Sequence, residues 1–166
     1  MMTNLQNITA PVFDLHCDAV LKLVHRNAHF ANDNPVSHVD IPKMKRGGVN
    51  CIFYSLWADP VFQGEQAFER TKFMLQTALK EIEQCKADLF LSTNKNHLDE
   101  SISQNKITAL LGIEGGMSIN NNLDHLRYFY EQGVRRMTLT HTVSTDWAGS
   151  SGDDGNTRGL TKFGEE

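Results

Sequence analysis

Asp14-Leu15-His16-Cys17-Asp18 places two carboxylates and an imidazole at alternate positions of one short run. On a strand, side chains alternate between faces. Asp14, His16 and Asp18 are therefore expected on one side, with Leu15 and Cys17 on the other. A neutral imidazole and a carboxylate two residues apart can share a divalent ion, and zinc accepts both at about 2.0–2.2 Å. Short motifs are permissive, and a lone His-x-Asp equally suits an exposed strand end with scattered polar groups. A second candidate, Glu114, directly follows the apolar run ITALLGI. A carboxylate there is costly to bury unless it is paired or bound to a metal, and Gly115 and Gly116 allow close backbone approach. A solvated acid opening a loop would fit the same position. The third, His141, follows VRRMTLT. Alternation sets Arg136, Thr138 and Thr140 on one face and Met137, Leu139 and His141 on the other. His141 is then either a half-buried structural histidine or a donor or ligand at the same rim as His16, Asp18 and Glu114.

Position joins these candidates. Pro11 to His16 reads as a strand and is followed by a polar stretch from Arg26 to His38. Ile41 to Arg46 predicts one or two helical turns, opened by Pro42 and closed by Gly47 and Gly48. Val49 to Trp57, rich in β-branched and aromatic residues, predicts a buried strand. Gln63 to Lys86 carries Phe68, Leu75, Ala78, Leu79 and Ile82 at helical spacing, opposite Glu65, Glu69, Lys72, Lys80 and Glu83. That is an amphipathic helix. A short strand at Asp88 to Ser92 and a short helix at Asn96 to Gln104 follow. Next come a buried strand at Ile107 to Ile113 and a helix at Leu123 to Gln132, with Leu123, Leu126 and Tyr130 on its apolar side. A strand at Val134 to Thr140 completes the series, and the tail from about residue 142 is loop-rich. Strands that are apolar on both faces and alternate with helices predict an α/β fold with a parallel sheet. Each candidate then falls at the C-terminal end of a strand, the face where (β/α)8 barrels carry their active sites.

Other polar and aromatic residues carry less. His25, His29, His38, His97 and His125 fall in loops or on polar helix faces and are expected at the surface. Tyr54, Trp57 and Trp147 suit either a pocket lining or the core. Lys43, Lys45, Arg46, Arg135 and Arg136 are expected to be solvated. The formal net charge of -4 over 166 residues argues against a nucleic-acid partner. No apolar run approaches the roughly 20 residues that span a bilayer. Met1 to Ala10 is polar, without a basic-then-apolar leader, so a cytoplasmic protein is expected. Cys17, Cys51 and Cys85 are odd in number and far apart, which predicts buried free thiols rather than disulfides or a thiolate zinc site.

The residues together resemble the membrane dipeptidase (renal dipeptidase) family of metallopeptidases. The resemblance runs from Asp14-x-His16-x-Asp18 through Val39-Asp40-Ile41-Pro42, Gly47-Gly48-Val49 and Ile113-Glu114-Gly115-Gly116. Its most specific stretch is Gly133 to His141. Asp146-Trp147-Ala148 and Gly159-Leu160-Thr161-Lys162-Phe163-Gly164 continue it in order, so that it covers about residues 11 to 164. It implies a TIM-barrel-like (β/α)8 fold with two zinc ions at the C-terminal mouth. It further implies His16 and Asp18 as ligands of the first zinc, Glu114 bridging both, and His141 contacting the scissile carbonyl and stabilising the oxyanion. A hydroxide shared by the metals would attack the peptide bond of a dipeptide. Family members are often dimers, so the resemblance allows a homodimer.

The family places two further zinc-binding histidines, a carboxylate-binding arginine and a proton-handling aspartate beyond the Gly-Leu-Thr-x-Phe-Gly segment. The sequence stops at Glu166, before that region, and such barrels take about 250 residues. The expectation is a single incomplete barrel domain over residues 1–166, with the first half or so of the strands. It would hold at most one zinc ion and show little hydrolysis alone. A non-catalytic truncated product and a related barrel amidohydrolase are the alternatives. Amidohydrolases of that kind more often open with His-x-His, and Asp18 stands in the second place here.

Overall fold

The computed structural model describes residues 10–26, 28–153 and 158–166. All but the last residue of the polar Met1 to Ala10 stretch, and part of the tail, lie outside them. The order is β1 (Val12–Cys17), α1 (Ala19–Arg26), α2 (Ile41–Gly47), β2 (Val49–Trp57), α3 (Glu65–Gln84), β3 (Leu89–Leu91), α4 (Lys95–Ser103), β4 (Ile107–Glu114), α5 (Leu123–Glu131), β5 (Val134–Thr138) and α6 (Lys162–Glu165). A 3-10 turn spans Gly116–Ile119. The class is α/β, as expected. The strands are hydrogen-bonded in the order β1-β2-β4-β3, with β5 also on β4. The β1–β2, β3–β4 and β4–β5 pairings are all parallel. No helix among the described residues is long and apolar enough to cross a membrane.

The chain divides into two compact units, Met1–Ser55 with Thr77–Leu110, and Leu56–Gln76 with Leu111–Glu166. In the first, Phe30 stacks on Tyr54 at 4.6 Å between ring centroids, and Val20, Ile52 and Leu89 are fully buried. Each such side chain contributes about 1.5–3 kcal/mol relative to exposure. Two buried carboxylates order the polar stretch. Asp40 caps α2 by accepting from the Lys43 N–H at 2.8 Å, and also accepts from the Asn34 N–H at 2.9 Å. The Lys43 ammonium reaches Asp40 Oδ2 at 2.5 Å and the carbonyls of Asn34 and Ser37. Lys43 is thus a clamp rather than a solvated charge. Glu81, on the buried side of α3, accepts from the Phe30 N–H at 3.1 Å and lies 2.8 Å from His29 Nδ1. His29 is exposed, as expected, with its ring paired to the helix.

In the second unit Leu56, Met74, Leu111, Ile113 and Phe129 are fully buried. The buried side of α5 centres on Phe129, not on Tyr130 as the spacing suggests. Tyr130 is exposed and lies beneath the Arg135 guanidinium, 4.1 Å from its ring centroid. His125 stacks on Phe68 with centroids 3.6 Å apart and is half-buried rather than exposed. The tail is less loop-like than its composition suggests. Ala148 and Leu160 form an antiparallel bridge, and Thr161 caps α6.

Candidate functional site

Each sequence candidate sits at or just beyond the C-terminal end of a strand. In the first unit, β1 ends in a register shift between Asp14 and Cys17. Asp14 Oδ1 accepts the His16 N–H at 3.0 Å, a local bond that competes with regular pairing. The expected alternation therefore fails: Leu15 is exposed and Cys17 buried, instead of both lying on one face. Asp18 stands past the strand. His16 Nε2 and Asp18 Oδ1 are nevertheless 3.6 Å apart, with side chains 44% and 53% exposed. They line a cleft of about 260 Å³ together with Asp14, Lys22, Ser37 and His38. Burial pushes the neighbouring Cys17 thiol up to about 11, and the nearby Asp14 and Asp18 charges add to the effect. In the metal-free chain that thiol stays protonated at neutral pH. One imidazole and one carboxylate suit zinc or a similar divalent ion.

In the second unit, Glu114 closes β4 with its side chain 15% exposed. Its Oε1 lies 3.3 Å from His141 Nε2. β5 stops at Thr138, so His141 is carried by the segment that follows and not by strand alternation with Met137. The close approach has a backbone cause. Gly115 adopts φ +104°, a region that L side chains rarely enter. Its N–H donates to Thr138 Oγ1 at 2.8 Å, and the Gly116 N–H donates to the Leu139 carbonyl at 3.2 Å. A Cβ on Gly116 would stand 2.4 Å from the Trp147 ring and 2.5 Å from the Leu139 oxygen. The paired glycines thus let the end of β4 lie against the chain leaving β5.

Two neighbours of His141 are not linked to it by the sequence, although Trp57 reads there as a pocket lining or core residue. Trp57, the last residue of β2, donates its indole N–H to His141 Nδ1 at 3.1 Å. Ser150 Oγ donates to the His141 carbonyl at 2.5 Å. Trp57 shared the strand-end position that marked Glu114 and His141, and that was its available signal. Ser150 lies in a Ser- and Gly-rich segment whose composition marks no residue. Tyr54 is wholly in the core and its buried hydroxyl is pushed well above the ordinary tyrosine range by desolvation. Trp147 is buried against Phe163.

Rat "Dipeptidase 3" is 35% identical over 137 residues, 76% of this chain and 26% of its own length. A crystal structure of "dipeptidase AC", a family M19 metallopeptidase, superposes with TM-score 0.83 at 24% identity, covering 95% of this chain and 52% of that one. A Rhodobacter sphaeroides metallopeptidase, solved with a phosphinate mimic of the dipeptide L-Ala-D-Ala, gives 0.82 at 20% identity, covering 93% and 54%. The chain thus spans about a quarter of the curated rat relative and about half of the solved chains, whose barrel-like fold it shares over that length. The model of the membrane dipeptidases, peptidase family M19, matches residues 3–166, and the chain belongs to that family.

Proposed function

We propose that this chain supplies one side of a zinc-dependent dipeptidase centre, with His16, Asp18 and Glu114 as metal ligands and His141 as the group that meets the scissile carbonyl. The observation that carries the proposal is Glu114. A largely buried carboxylate is kept at the end of an apolar strand, 3.3 Å from an imidazole, in a chain of a dipeptidase family. A carboxylate held there is an oxygen donor suited to a divalent cation. When bound, zinc supplies Lewis acidity and activates water near neutral pH.

The chain's own residues do the rest. His16 offers a neutral nitrogen and Asp18 a carboxylate from the end of β1. Glu114 adds a second carboxylate held rigid by β4 and by the glycine turn after it. His141 presents Nε2 as a donor toward oxygen charge that develops as the peptide carbonyl becomes tetrahedral, a type of stabilisation worth about 3–4 kcal/mol per donor. The substrate class is a dipeptide. The dipeptide mimic held by the Rhodobacter protein makes L-Ala-D-Ala the first compound to try.

The test is zinc titration of the metal-free chain, together with L-Ala-D-Ala hydrolysis by the protein isolated from its source. Zinc uptake that falls on replacing His16, Asp18 or Glu114, with chelator-sensitive hydrolysis, supports the proposal. Uptake indifferent to all three replacements, or hydrolysis of a cyclic amide but of no dipeptide, would sink it.

A further inference from the structure

His141 is held from both sides in a way that decides where its proton sits. An indole N–H can only donate, so the 3.1 Å contact from Trp57 Nε1 requires a lone pair at His141 Nδ1. Nε2, on the other side of the ring, lies 3.3 Å from Glu114 Oε1. A neutral imidazole with a bare Nδ1 carries its hydrogen on Nε2. Its backbone is fixed independently by the Ser150 hydroxyl on its carbonyl. The Trp57 and His141 rings meet edge-on, 76° between planes and 6.0 Å between centroids, an arrangement compatible with a bond directed at a ring nitrogen.

We propose that Trp57 is a positioning residue that holds neutral His141 in the form protonated at Nε2 and bare at Nδ1. The role it would serve rests on the proposed function. With the opposite tautomer, the nitrogen facing the substrate would be an acceptor, opposed to a carbonyl oxygen that gains negative charge. Selecting the tautomer in advance removes that unproductive population before substrate arrives. The tautomer itself is a property of the chain and can be measured without metal or substrate.

The experiment is 15N NMR of the 166-residue chain with labelled histidine and tryptophan, at about pH 8.5, above the ordinary imidazole range. His141 is assigned by loss of its signals in His141→Gln. The expected wild-type spectrum shows a bare Nδ1, a protonated Nε2, and a 15N–15N coupling across the hydrogen bond to Trp57 Nε1. Trp57→Phe keeps an aromatic ring and removes the donor. It should abolish the coupling and raise the Nδ1-protonated form about fivefold, what one neutral hydrogen bond is worth. A protonated Nδ1 in the wild type, or an unchanged tautomer ratio in a folded Trp57→Phe chain, overturns the proposal. If Trp57→Phe does not fold, the wild-type coupling decides alone, its absence counting against the bond. Failure here with zinc-dependent hydrolysis intact removes only the role of Trp57. The expected spectrum without hydrolysis removes the dipeptidase proposal and leaves the tautomer standing.

Discussion

Glu114 Oε1 and His141 Nε2 lie 3.3 Å apart, the carboxylate closing β4 and the imidazole just past the end of β5. β4 and β5 are parallel neighbours, paired from Leu111↔Val134 to Glu114↔Thr138, so the two side chains are delivered by adjacent strand ends. One sheet edge thus provides an acceptor-only group and a group that can donate.

Glu114→Gln separates the ligand role from the packing role. Glutamine has nearly the same volume, and its carbonyl can still accept from Nε2. Stability should change by less than about 1 kcal/mol in urea unfolding, as for replacements that leave no cavity. Zinc affinity by isothermal titration should fall at least about tenfold, since a neutral amide is a far poorer ligand for the ion than a carboxylate. Unchanged affinity would remove Glu114 from the metal site.

Gly116→Ala tests the turn that brings these ends together. The new Cβ would meet the Trp147 ring at 2.4 Å and the Leu139 carbonyl oxygen at 2.5 Å. The Trp147 ring is buried and the oxygen is backbone that accepts from the Gly116 N–H, so neither can move freely. Overpacking of this kind costs about 1–3 kcal/mol, read as a lower urea midpoint. Gly48→Ala is a useful contrast. At Gly48 nothing lies within 4 Å, so only the backbone strain of φ +70° contributes.

What was legible in the sequence follows from local rules. Buried strands such as VNCIFYSLW and ITALLGI, and the 3.6-residue period of α3, identify themselves by composition and spacing. The predicted elements fall within two residues of their expected bounds. Helix α1 was missed because Ala19–Arg26 follows the strand directly after Asp18, without a break to mark its start. The roles of Asp40, Lys43 and Glu81 were hidden for a different reason. Their partners are set by tertiary contact up to 52 residues away, as in His29–Glu81, and no local pattern encodes it. The position of His141 was foreseen, but its face was not, because β5 stops before it and alternation no longer applies.

The three cysteines should resist thiol reagents in the native chain. Cys17, Cys51 and Cys85 are buried and unpaired. Burial pushes the Cys17 and Cys51 thiols up to about 11 and raises Cys85 as well. The reactive species is the thiolate, so at about pH 8 only a small fraction could react even if access were free. Ellman's reagent should titrate fewer than one thiol per folded chain within minutes and all three after urea is added. Rapid native labelling at Cys17 would show that the end of β1 opens readily.

Asp40 gives a pH dependence whose sign is fixed by its surroundings. Its side chain is 1% exposed, and burial alone would raise its carboxyl. The Lys43 ammonium and the N–H groups of Lys43 and Asn34 outweigh that and hold it below the ordinary carboxylate range. A carboxyl lowered in the folded state contributes stability that is present above its unfolded value of about 3.9 and lost as pH falls through the folded value. Asp40→Asn removes the charge and leaves the Lys43 ammonium, 28% exposed, facing two carbonyls, an amide and the Asp33 carboxylate 3.5 Å away. Breaking a fully buried pair costs about 3–5 kcal/mol, and the partial exposure of Lys43 and its second partner Asp33 lower this to about 1–2 kcal/mol at pH 7. As pH falls from about 3.9 through the lowered folded value, Asp40 takes up its proton and the same interaction is lost, so the gap between the two proteins should narrow. Urea unfolding at neutral pH and near pH 3 measures both gaps. A gap that stays constant across that range would mean that Asp40 acts through its shape and backbone bonds and not through its charge.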